Sequence, residues 1–185
     1  MKRADYTISA RSPLRYIAAV FMLIAVFFTL FVIVPYYSTD YVAHSILPQE
    51  NSPDKVMLQF RYSDGITISS VLMLTGEAAF ILLCLSNFIN RHPWLISLPM
   101  AVITLAYGLS IGTLVELAVV AVFALTSVGI LRTKLPTVLL NGIYAAMCVI
   151  MLISAGVGFG DELIAPLIWT ALLLITISMK KSSEV

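Results

Sequence analysis

The chain has 185 residues, 60% of them hydrophobic and 11% charged, with a formal net charge of +1. Soluble domains carry about a quarter of their residues as charges, so a chain this apolar lacks the polar surface to face water on all sides. The near-neutral charge and scattered basic residues also give no electrostatic footing for a nucleic-acid partner.

The composition predicts an all-α integral membrane protein, a single transmembrane domain over residues 1–185 with membrane lipid around it. A helix needs about 20 residues to cross a hydrocarbon core of about 30 Å. On that measure the turn residues divide the chain into six segments, a six-span helical bundle.

The first segment, Leu14 to Val34, follows a basic flank of Lys2, Arg3, Arg11 and Arg15. Its apolar run is longer than a usual signal-peptide core. It ends on Pro35, Tyr36 and Tyr37 and not on a small-residue cleavage site, so it reads as a retained span.

The outer, periplasmic loop, residues 36–65, is long for a mere connection. Within it Val56, Leu58, Phe60 and Tyr62 alternate with Met57, Gln59 and Arg61, the period of a short strand, before Ser63, Asp64 and Gly65 turn the chain. A lone strand leaves unpaired backbone groups. Either the segment lies along the outer helix ends or it docks to another chain, with Val56, Leu58, Phe60 and Tyr62 as the partner-binding residues.

The second segment, Ile66 to Asn90, carries Glu77 near its middle. At 1.5 Å per residue Glu77 lies about 16 Å from the outer end, the bilayer midplane. A central acidic residue costs about 2.5–3.5 kcal/mol on insertion scales, so it should face the bundle or a watery cavity. Ser70 and Cys84 stand seven residues to either side with Asn87 near the same line, which predicts a small, polar, buried stripe. Thr75 and Tyr144 are candidate hydrogen-bond partners at similar depth. Glu77 is then either a proton or cation site or a hydrogen-bonded packing residue, and no Lys or Arg stands at its depth to balance a charge.

The third and fourth segments, Trp94 to Leu109 and Thr113 to Leu131, cannot be one helix, which would run about 57 Å. The break falls at YGLSIGT, where Gly108, Ser110 and Gly112 supply a turn. The two arms either cross as short spans or form a short re-entrant hairpin. A hydrogen bond between Glu116 and Tyr107 across that turn makes a secondary polar pair.

The fifth segment is Pro136 to Ala155, with Asn141 placed to hold helices together. The sixth is Leu163 to Met179. The intervening SAGVGFGDE, with Gly156, Gly158 and Gly160, lacks the Lys-Ser/Thr of a phosphate loop and reads as a turn.

Basic residues test the count independently, because they accumulate in cytoplasmic loops. Arg91, Arg132, Lys134, Lys180 and Lys181 fall on the same side as the N-terminal flank, whereas the other side holds Lys55 and Arg61 among six acidic residues. Both termini are expected in the cytoplasm, and the short loops suggest a bacterial inner membrane.

His44 and His92 fall on opposite sides, and no acid pair, GxSxG elbow or metal-ligand spacing is present, so the reading is not an enzyme, with no metal and no cofactor. Cys84 and Cys148 read as buried small hydrophobes. The expected role is a non-catalytic inner-membrane subunit acting in assembly or partner recognition, as a complex subunit or in a toxin-immunity-like role. It would work as a homo-oligomer or with a partner membrane or periplasmic protein. The alternative is a small oligomeric proton- or cation-coupled transporter or channel using Glu77.

Overall fold

The structure, a computed structural model, describes residues 6–30, 68–111, 114–158 and 164–181, with side chains described except at 107–111, 114–116 and 154–158. A short strand, β1 (Tyr6–Ile8), leads into α1 (Pro13–Phe28), whose first residue is a proline suited to a helix start. Then come α2 (Ile68–Leu85), the short α3 (Phe88–Arg91), a 3-10 turn (Pro93–Ile96) and α4 (Ser97–Ile111). They are followed by α5 (Leu114–Ser127), the short α6 (Ile130–Lys134), α7 (Thr137–Gly158), α8 (Ile164–Ser178) and β2 (Met179–Lys181).

The described chain is mostly helical, and each of the six expected segments overlaps one of the longer helices, in order α1, α2, α4, α5, α7 and α8, although α4 runs on to Ile111 and α7 to Gly158, through residues expected to turn. Among the described residues one helix, α2, is long and apolar enough to cross a membrane, and the other apolar stretches run to 10–17 residues. Several ends differ from the hydropathy reading. The second segment stops being helical at Leu85, where Ser86 turns its hydroxyl onto the Leu83 carbonyl at 2.9 Å. The fourth breaks at Gly129, whose φ of +83° is a left-handed conformation that a side chain would resist. Helices α4 and α5 have 15 and 14 residues, about 22 and 21 Å, and pack against each other as a short antiparallel pair.

The packing runs as a circuit: α7 on α8, α8 on α1, α1 on α2, α2 on α4, and α4 on α5. Aromatic side chains join its ends. Phe123 of α5 meets Tyr144 of α7 edge-on at 5.2 Å and stacks on Trp169 of α8 at 6.2 Å. Trp94 of the 3-10 turn meets the same Tyr144 at 5.4 Å and Tyr6 of β1 at 6.2 Å. Such edge-to-face pairs add about 0.5–1.5 kcal/mol each beyond their burial.

At one end of the bundle β1 and β2 pair antiparallel, Tyr6 opposite Lys181, Thr7 opposite Lys180 and Ile8 opposite Met179. The start of α1 and the end of α8 therefore share a side. The outer-loop strand expected at Val56, Leu58, Phe60 and Tyr62 lies outside the described residues.

Candidate functional site

Helix α1 presents an inner face of Arg15, Ala18, Ala19, Met22, Ala25 and Thr29, all buried and spaced three or four apart. The alanines let α1 lie close to its neighbours, and its last turn widens to a π turn at Thr29 and Leu30. Facing it, α2 buries Ser70, Met73, Gly76, Glu77, Phe80 and Cys84. The expected stripe of Ser70, Glu77 and Cys84 is thus an interior face, whereas Asn87 is exposed because the helix ends before it.

Gly76 sets the distance on the other flank of α2. A Cβ there would stand 2.6 Å from Cγ1 of Ile103, 3.1 Å from the Pro99 carbonyl and 3.2 Å from the Ile103 amide nitrogen. Helix α4 therefore touches α2 backbone to backbone. A hydrogen bond from Ser69 Oγ to the Ala106 carbonyl, 2.7 Å, ties the same pair further along.

Glu77, fully buried, points the other way, toward α1. Its Oε1 lies at hydrogen-bonding distance, 3.0 Å, from Thr29 Oγ1, which also lies 3.0 Å from the Ala25 carbonyl. Glu77 Oε2 is buried with no hydrogen-bond partner among the described residues. Two turns along α2 the interface holds a second polar group. Arg15, also buried, donates from Nη1 to Asn90 Oδ1 and from Nη2 to the Leu85 carbonyl at 3.3 Å, while its Nε is unpartnered. Its guanidinium caps the last carbonyl of α2, where the helix dipole favours a cation, and lies 4.8 Å from the ring centre of Tyr16.

The expected partners of Glu77 are corrected by this arrangement. Thr75 is exposed and bonds back to the Val71 carbonyl at 2.7 Å. It lies two residues from Glu77, about 200° round the helix, and cannot share its face. Tyr144 is buried but belongs to the aromatic cluster of Trp94 and Phe123, and the side chains beside its hydroxyl are those of Thr126 and Ser97, not Glu77. The residue that meets Glu77 is Thr29, which the sequence reading missed because a single hydroxyl inside an apolar run carries no local mark. Asn141 Oδ1 is buried with no hydrogen-bond partner among the described residues. Cys84 and Cys148 are free, buried thiols. Tyr107 and Glu116 fall on α4 and α5, and their side chains lie outside those described.

A further polar tie escaped the sequence. Ser97 of α4 and Ser127 of α5 share a hydrogen bond at 2.9 Å, and each also bonds a carbonyl of its own chain segment, Ser97 to Trp94 and Ser127 to Phe123. Comparison with known proteins adds no assignment: no family model, curated protein or solved structure matches the chain significantly.

Proposed function

We propose that this chain is a multi-pass membrane protein of a bacterial inner membrane, both termini cytoplasmic, that serves as a non-catalytic subunit in assembly or partner recognition. The observation that supports the membrane setting is the distribution of side chains on α1. Small and polar groups, Arg15, Ala18, Ala19, Ala25 and Thr29, are inside, whereas Val20, Leu23 and Phe27 point outward at 54–58% exposure. Water would favour the reverse, and lipid favours large apolar groups outside with close contacts within. The same outward apolar pattern recurs at Leu82, Val138, Ile150 and Ile177 on three other helices, α2, α7 and α8.

The subunit role draws on the outer loop, residues 36–65, whose alternating Val56, Leu58, Phe60 and Tyr62 suit addition to the edge of a neighbouring sheet in another copy or a partner protein. Proline at the centre of such a ladder removes an amide donor and restricts the backbone. Leu58→Pro is expected to insert normally yet lose the native mass of the complex purified in gentle detergent, with Leu58→Ala doing less. A Leu58→Pro protein that keeps the parent's mass and partners sinks the docking role.

A second reading, a small oligomeric proton- or cation-coupled transporter or channel, is favoured by the unpartnered Oε2 of the buried Glu77. Proton or cation flux in proteoliposomes that Glu77→Gln abolishes would place it first.

A further inference from the structure

Thr29 has one hydroxyl proton, yet its Oγ1 sits 3.0 Å from each of two oxygens, the Ala25 carbonyl and Glu77 Oε1. If Glu77 were a carboxylate, both neighbours would be acceptors competing for one donor, and Oε2 would be a buried charged oxygen with no partner among the described residues. A proton on the carboxyl removes both conflicts. We propose that Glu77 and Thr29 form a proton-binding site between α1 and α2. The Glu77 carboxyl holds the proton on Oε1 and donates it in a hydrogen bond to Thr29 Oγ1, and Thr29 donates its own proton to the Ala25 carbonyl. Oε2 is then a neutral carbonyl oxygen, far cheaper to leave unpaired than a charge.

The surroundings agree with this count. From α1 the groups facing Glu77 are the Thr29 hydroxyl and the Ala25 carbonyl; the ionisable groups of that helix, Arg15 and Tyr16, stand at its opposite end, where Arg15 is bonded to Leu85 and Asn90. On α2 itself Cys84 lies two turns away, on α3 Arg91 is exposed, and the stretch of α4 with described side chains, 97–106, has no titratable residue. Among the described residues no cation faces the carboxyl to hold it ionised. When the proton leaves for water, the Thr29 hydroxyl must swing from Ala25 to the new carboxylate, so one rotor on α1 records the state of an acid on α2. The site stands whether the protein is a subunit or a transporter.

The test uses the whole protein in detergent or native membrane with dicyclohexylcarbodiimide, which takes its proton from a neutral carboxyl while the carboxyl oxygen adds to its central carbon. The O-acylisourea so formed rearranges to a stable N-acylurea, read by peptide mass. The expected result is an adduct on Glu77 at neutral pH, falling about tenfold per pH unit above the midpoint and absent in Glu77→Gln of unchanged native mass. In infrared spectra the C=O stretch of a neutral acid, lost in Glu77→Gln, should shift in Thr29→Val and return in Thr29→Ser. A folded protein with neither adduct nor neutral-acid band overturns the site. So does a band indifferent to Thr29→Val. Protection of Glu77 by sodium ions at constant pH also overturns it, in favour of a metal-cation site.

Discussion

Arg15 is a fully enclosed guanidinium whose bonded partners, Asn90 and the Leu85 carbonyl, are both neutral. Replacing it by alanine leaves both acceptors, at the partly buried end of α2, without their donor. Hydrogen bonds to a charged group are worth about 1.5–3 kcal/mol, so Arg15→Ala should lower stability in detergent by about 2 kcal/mol or more. Lysine offers a point charge where a planar fork spans two acceptors, and Arg15→Lys should recover less than half of the loss. Equal stability of Arg15→Ala and the parent in thermal melts would show the contacts to be dispensable. In sequence Arg15 looks like one more topogenic charge before a span, because the pattern of charges reports a side of the membrane and not a contact. Glu77 was legible because an acid inside an apolar run is anomalous wherever it points. Its partner was not, since Thr29 stands 48 positions earlier in the chain and depth alone does not say which helices are neighbours.

The spacing between elements turns on Gly76. Its absent side chain lets α2 rest on the turn of α4 between Pro99 and Ile103, and a methyl there would overlap Ile103 Cγ1 and crowd the Pro99 carbonyl. Overpacking of this kind costs about 1–3 kcal/mol. Gly76→Ala should therefore destabilise the protein by that amount, and Ile103→Ala in the same chain should restore only part of it, since the crowded carbonyl belongs to the backbone and cannot be trimmed. Full rescue in the double variant would mean that the side chain alone sets the contact. At this scale the helices themselves were readable from hydrophobic runs and turn residues, but the turn expected from Gly108 and Ser110 is displaced, since α4 continues through Ile111 and α5 starts at Leu114. Their ends were less so. Apolar runs continue past Leu85 and Ser127, but the turn at Ser86 and the left-handed Gly129 stop the helices first. A hydropathy window averages over such single-residue stops.

For the molecule as a whole, the proposed topology of an even number of passes rests on the one-sided distribution of Lys and Arg and fits the pairing of β1 with β2 at one end of the bundle. A cysteine introduced at Gln49 is accordingly expected to react with a membrane-impermeant maleimide in intact cells with a permeable outer membrane. Cysteines introduced in place of Thr7 or Lys180 should react only after the inner membrane is breached. Labelling of Gln49→Cys only after breaching would reverse the orientation. The order of the helix circuit could not be read from the sequence, because similar apolar helices are interchangeable until particular side chains, such as Phe123, Tyr144 and Trp169, choose among them. The strand pair carries one more consequence, which concerns time. Ribosomes extend a chain at about 5–20 residues per second, so Tyr6–Ile8 leave the exit tunnel on the order of ten seconds before Met179–Lys181 exist to receive them. Helix α1 likewise waits for α8, although α2 reaches it sooner, so this part of the chain completes its contacts only when the residues up to Lys181 exist. Until then its strand is open to any other edge nearby, which makes newly made copies on one messenger, and any insertase that shelters them, the first competitors for Tyr6–Ile8.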